Sequence, residues 1–286
     1  MKIIRYCMAL RKLLDSIYVD TAATNGGNHG AIVLDDEILM VDSGMIHTKS
    51  RISKQFLESE TGLSIRKIIF THSHSDHVFG AQAFEPVLLI SSERMRMNCD
   101  DRLKHEWKHD NLLERYSYAI RDNPELWDAV QTLSIRLPDI VFKDEISLGN
   151  AKQVTAKLVG GHTSGSAIVV CHDSNTVFIG DLIFNGQFPY GGDPTCNPDR
   201  WISALEEIRD KQYEIIIPGH GPVCGQEELE DYIGSLTALR QNVKDAIVKG
   251  SSFDSFSSNI EIPDALKTGF ELFGEVTLKH WFRYYS

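Results

Sequence analysis

Histidine and aspartate crowd into four short blocks of this 286-residue chain: Thr71-His72-Ser73-His74-Ser75-Asp76-His77, Gly161-His162-Thr163, Gly180-Asp181 and Pro218-Gly219-His220-Gly221. Five of its 11 histidines lie in them. Imidazole and carboxylate suit Zn²⁺ and also accept Fe or Mn. Seven donors (His72, His74, Asp76, His77, His162, Asp181, His220) exceed what one tetrahedral ion takes, so the count points to a pair of ions. His72 and His74, two apart, face one side of an extended segment and can clamp one ion, while Asp76 and His77 diverge from them and can serve a second. Taken singly, His162 and His220 read as surface-loop histidines. The whole set in order argues against an accidental His-rich loop.

Two divalent ions about 3.5–4 Å apart can share a water and supply hydroxide at neutral pH, for attack on a carbonyl carbon or on phosphorus. Asp76 is the candidate catalytic residue, carrying the proton as well as binding. Asp181 ends the apolar run Val177-Phe178-Ile179-Gly180, where an unpaired carboxylate would be costly.

The elements that must position these groups follow from apolar patterning. Short strands are expected over 17–20, 30–34 and 38–42, the last two joined by Asp35-Asp36-Glu37, with Asn25-Gly26-Gly27-Asn28 a loop before them. A helix is expected over 48–60, then a buried strand over 65–70 that delivers Thr71 and His72. Further strands are expected over 86–90, 145–148, 153–159, 167–171, 176–179 and 214–217. Asn123-Pro124 and Asn197-Pro198 open helices, and a long helix covers about 226–248. Residues about 92–138 form a charged helical insert carrying Trp107, Tyr116, Tyr118 and Trp127, a lid or dimer contact if not simply core. The order suits two sheets with helices outside.

Together with Val41-Asp42-Ser43-Gly44, the ordered His-x-His-x-Asp-His run, the later His162, Asp181 and His220 resemble the metallo-β-lactamase-fold hydrolase superfamily, over roughly residues 17–250. The resemblance implies an α/β (α+β) fold: a four-layer αβ/βα sandwich with the metals at one edge. It makes the chain a single domain, with the helical insert and a C-terminal helical and aromatic tail over about 250–286. It allots His72, His74 and His162 to one ion and Asp76, His77 and His220 to the other, with Asp181 bridging. Asp42 becomes an orienting aspartate that does not touch metal. Antibiotic-hydrolysing relatives carry Cys where this chain has Asp181, which places it with the thioesterase, lactonase and phosphodiesterase branches. Some lactonases carry Tyr where this chain has Phe184. Tyr190 could reach the site instead, or pack as a loop aromatic. The Thr24–His29 stretch flanks the site in relatives, so His29 is a candidate substrate contact or else a solvated loop residue.

Bulk properties narrow the rest. Lys plus Arg is 29 against 40 Asp plus Glu, a net charge of −11 that would repel a long polyanion. The five cysteines are scattered without a C-x-x-C pair, which fits a reducing cytosol. The start at Met1-Lys2-Ile3-Ile4-Arg5-Tyr6 has no sustained apolar run, and none near 18 residues occurs anywhere, so a cytoplasmic chain without a membrane span is expected. The partner expected is a small molecule, with a homodimer through the aromatic tail as one option. The leading expectation is a dinuclear hydrolase, zinc by default, in which a metal-bridging hydroxide attacks a small ester, lactone or thioester. Arg66, Lys67 and Arg200 are the basic residues nearest the blocks, too few for a phosphodiester site. Phosphodiesterase or nuclease chemistry, and an iron-dependent oxidoreductase of the same fold, are the alternatives.

Overall fold

The computed structural model describes residues 10–150 and 153–286. The opening segment, with the expectation about Met1–Tyr6, lies outside the described residues. Apolar runs of the first half form β1 (Arg11–Lys12), β2 (Ile17–Asp20), β3 (His29–Val33) and β4 (Ile38–Val41). Helix α1 (His47–Thr61), β5 (Ile65–Ile69), the short helix α2 (Ser75–Val78), a 3-10 segment (Phe79–Phe84) and β6 (Leu88–Ser92) follow. Four helices then intervene: α3 (Glu93–Lys104), α4 (His109–Arg115), α5 (Ala119–Asp122) and α6 (Pro124–Gln131). The chain returns to the same sheet as β7 (Ile140–Phe142). The second half runs β8 (Glu145–Leu148), β9 (Val154–Leu158), β10 (Ala167–Cys171), β11 (Thr176–Phe184), α7 (Pro198–Arg209) and β12 (Ile215–His220). Helices α8 (Gln226–Val248), α9 (Phe253–Asn259) and α10 (Phe270–Tyr285) complete it.

β1 to β7 form one sheet in sequential order, antiparallel to β4 and parallel beyond it. The second sheet has the order β12-β11-β10-β9-β8, with only the β11–β12 pair parallel. Period-two alternation divides each strand between two cores. Ile17, Val19, Leu39 and Val41 meet Val169, Cys171 and Phe178 between the sheets. Tyr18 and Met40 point outward, into the core shared with Leu57 of α1 and the insert. Ile168, Val170, Val177 and Ile179 point the other way, onto α7, α8 and α10. Helix, sheet, sheet, helix is the expected four-layer αβ/βα arrangement.

Local chemistry explains the helix starts. Asn123 caps α6 by accepting from the Leu126 N–H, and Asn197 caps α7 by accepting from the Arg200 N–H, each with Pro in the first turn. Several expected boundaries need correction. β11 does not stop at Ile179 but continues through Gly180 and Asp181 to Phe184, with irregular register against β12 at both steps. The insert's periodicity around 103–120 resolves into separate short helices rather than one long one. Trp107 and Tyr116 are buried, with Trp107 edge-on to Phe79 at 5.2 Å, so these two aromatics are core rather than a lid face. The tail folds onto its own chain: Trp281 is buried and meets Trp201 edge-on at 6.3 Å.

Candidate metal centre

The seven donors come from the loop after β5, from α2, from the loop after β9, from within β11 and from the C-terminal end of β12, and they converge. His72, His74, His162 and Asp181 form one group, Asp76, His77 and His220 another, and within each group the ligand atoms lie within 4.8 Å of one another. Asp181 divides its carboxylate between them. Its Oδ2 lies 3.4 Å from His72 Nε2, 3.9 Å from His74 Nδ1 and 3.5 Å from His162 Nε2. Its Oδ1 lies 3.0 Å from His77 Nε2 and 3.4 Å from His220 Nε2. Asp76 Oδ2 closes the second group, 3.2 Å from His220 Nε2 and 3.7 Å from His77 Nε2.

These spacings fit ions. Bonds of about 2.0–2.2 Å to a tetrahedral zinc put neighbouring donors about 3.3–3.6 Å apart. His74 Nδ1 sits 3.1 Å from both His72 Nε2 and His162 Nε2, and one proton cannot satisfy both contacts. His77 Nε2 and Asp181 Oδ1 are buried and form no hydrogen bond despite their closeness. Unpaired buried polar atoms are costly, and a shared cation satisfies them.

Outer hydrogen bonds turn the lone pairs inward. Asp42 accepts from the Thr71 N–H at 2.8 Å and the Thr71 hydroxyl at 2.7 Å, and from His77 Nδ1 at 2.9 Å. Having donated to Asp42, the Thr71 hydroxyl accepts from His72 Nδ1 at 3.0 Å. His74 gives its Nε2 proton to Asp193 Oδ2 at 3.0 Å. Each of these bonds fixes which ring nitrogen faces the centre: Nε2 of His72 and His77, Nδ1 of His74. Asp42 thus reaches two of the candidate ligands by hydrogen bonds, His77 directly and His72 through Thr71. In the sequence Asp193 is a lone aspartate after Gly191-Gly192, which gives no signal of this role.

Close backbone approach matters at two glycines. A Cβ on Gly27 would lie 2.3 Å from His77 Nε2, and one on Gly219 would lie 2.0 Å from Asp181 Oδ1. The Asn25–Asn28 loop flanks the site as expected. Asn28 fixes the His220 turn by donating its side-chain amide to the Pro218 and Gly221 carbonyls at 2.9 and 2.8 Å.

Electrostatics in the metal-free protein are those of a proton-sharing cluster. Burial alone would lower His220, but Asp181 and Asp76 raise it to about 9. Burial pushes His72 down to about 4, only partly countered by Asp181. Against burial, His220, His77 and His72 hold Asp181 well below the usual carboxylate range, and His77 and His220 do the same for Asp76. An ion entering the second group has protons to displace.

Three expectations change. His29 is neither a solvated loop residue nor at the mouth: it is buried at the start of β3, 3.9 Å from Asp20. Phe184 is buried and stacks on the His220 ring at 4.8 Å and 9°, so it backs a ligand instead of meeting substrate. A basic residue does fold inward: Arg102 of α3 reaches Asp193 Oδ2 at 2.5 Å and also pairs with Glu106, so two carboxylates offset its charge. Tyr190 is brought to the site, its half-buried ring edge-on to His74 at 5.5 Å.

An αβ/βα sandwich with paired His/Asp groups on its strand-end loops defines a class of metal-binding folds. Residues 24–220 match the Metallo-beta-lactamase superfamily, and the chain belongs to that family. It is 23% identical over 264 residues to a linear primary-alkylsulfatase of Pseudomonas sp. (strain ATCC 19151), covering 80% of this chain and 49% of that protein. Against an acyl-coenzyme A thioesterase of Bos taurus it is 27% identical over 171 residues, 56% of this chain and 58% of the relative. The chain therefore spans about half the length of these curated relatives. Among solved structures, the stereoselective inverting sec-alkylsulfatase of Pseudomonas sp. shares the fold with a TM-score of 0.75 at 13% identity, over 97% of this chain and 50% of that one. A metallo beta lactamase from Hirschia baltica does so with a TM-score of 0.59 at 19% identity, over 78% of this chain and 96% of that one. No helix among the described residues is long and apolar enough to cross a membrane.

Proposed function

We propose that this chain is a dinuclear metal-dependent hydrolase of small esters, lactones or thioesters, with zinc as the first candidate ion and iron or manganese as acceptable occupants. The observation that carries the reading is the division of the Asp181 carboxylate, one oxygen facing each histidine group. When bound, the two ions would supply Lewis acidity and an ionised water at neutral pH. The chain's own groups do the rest. Asp76 sits at the edge of the second group with its carboxylate held ionised, able to take a proton from water and return it to a leaving group. Asp42, Thr71 and Asp193 lock the rings so that no reorganisation is needed during the reaction. Phe184 and Tyr190 line the first group with aromatic surface.

The acyl-coenzyme A thioesterase relative supports attack at a carbonyl carbon. The alkylsulfatase relative favours a second reading, cleavage of an alkyl sulfate ester. Phosphodiester chemistry has less support, because the Arg102 guanidinium beside the centre is already paired with Asp193 and Glu106. A panel of aryl ester, lactone, thioester, alkyl sulfate and bis-aryl phosphodiester at matched metal loading tests this. The expected result is hydrolysis fastest at a carbonyl carbon, abolished by chelator and restored by added metal. A clear preference for the sulfate ester or the phosphodiester would overturn the carbonyl assignment.

A further inference from the structure

Helix α10 brings apolar surface to the edge of the metal centre. Phe273, half-buried, lies edge-on to Tyr190 at 5.8 Å and to Phe184 at 6.5 Å, and these two rings contact the ligands His74 and His220. Gly192 packs between Tyr190 and Val276: a Cβ there would meet Val276 Cγ2 at 2.5 Å and Tyr190 Cε2 at 3.2 Å. The buried face of α10 is tied down separately, through Thr277, which donates to the Pro189 carbonyl, and through Trp281. That leaves Val276, which packs on Gly192 next to Tyr190, 40% exposed, and Leu272, one helical turn from it on the same side of α10, 71% exposed. Charged groups reach the same edge from the insert: Arg102 donates to Asp193 Oδ2 at 2.5 Å, and Asp193 in turn accepts from His74, on whose ring Tyr190 sits edge-on.

An edge that carries both apolar and charged groups fits an amphiphile. We infer that Tyr190, Phe273, Val276 and Leu272 form a one-sided wall for the apolar chain of the substrate, and that the preferred substrates are esters or thioesters of medium or long aliphatic acids. The inference rests on the hydrolase reading and names the substrate class of that site. Because the wall covers only one side of a chain, it contributes well below the roughly fourfold per methylene of full burial.

The test compares 4-nitrophenyl acetate with the octanoate, using metal-loaded wild-type protein and the double variant Leu272→Asp/Val276→Asp. Both side chains are exposed, so the variant keeps the fold. In the wild type kcat/KM should rise by about tenfold from acetate to octanoate, and in the variant most of that ratio should vanish. Calorimetric binding of decanoate against acetate reads the same wall without turnover, and the variant should cut the affinity ratio by a similar factor. A flat chain-length profile in the wild type, or ratios unaltered by the variant, would overturn the wall. Absence of metal-dependent turnover on every ester, with the decanoate ratio still falling in the variant, would contradict the hydrolase reading and support the wall.

Discussion

Asp42 shows how much of the centre depends on residues that bind nothing themselves. It holds a left-handed backbone conformation with φ 59°, and its carboxylate accepts from Thr71 twice and from His77. Through Thr71 it also fixes His72, so one side chain sets a ring in each group. Asp42→Asn keeps the size and tolerates the backbone, yet it replaces one acceptor oxygen by a donor. Metal affinity should fall by about 10–100-fold, read by competition with a chromophoric chelator. An unchanged affinity would reduce Asp42 to a turn residue. The candidate ligands were legible in the sequence because chemistry confines His and Asp to a recognisable ordered set. Asp193 and Arg102 were not legible, since they are 91 residues apart and only folding reveals that Arg102 and His74 share the Asp193 carboxylate.

At the scale of elements, strands announced themselves where apolar runs are short and bounded. The segments Ile17–Asp20, Glu145–Leu148 and Ala167–Cys171 fall where the patterning put them. Reading failed where tertiary pairing overrides pattern. Gly180 and Asp181 interrupt an apolar run and look like a strand end, but pairing with β12 carries β11 onward past them. β7 is three residues long and exists because β6 offers an edge. The helical insert gave periodicity without saying which face is buried. Its Trp107 packs on Phe79, just after the metal-binding loop, and Tyr116 hydrogen-bonds Ser75 within that loop at 3.1 Å. Trp107→Ala should therefore cost about 3–5 kcal/mol in denaturant unfolding, whereas Tyr116→Phe should cost about 1 kcal/mol. A stability-neutral Trp107→Ala that changes KM among substrates would restore the lid.

For the whole molecule, the two sheets act as a rigid frame on which β5, β9, β11 and β12 bring candidate ligands from four distant stretches together. The frame explains why a chain at 13% identity to a sec-alkylsulfatase of Pseudomonas sp. still shares its fold. The net charge of −11 is partly offset locally once two divalent ions sit among Asp76 and Asp181, so the acidic surface and an anion-tolerant centre are compatible. Everything proposed about the chemistry depends on two ions sharing the Asp181 carboxylate. The direct measurement is the metal content per chain, by elemental analysis of purified protein after loading and removal of excess, for wild type and for Asp181→Ala. The account predicts close to two ions in the wild type and a loss at both positions in the variant. A single ion per chain, unmoved by Asp181→Ala and by added zinc, manganese or iron, would contradict it.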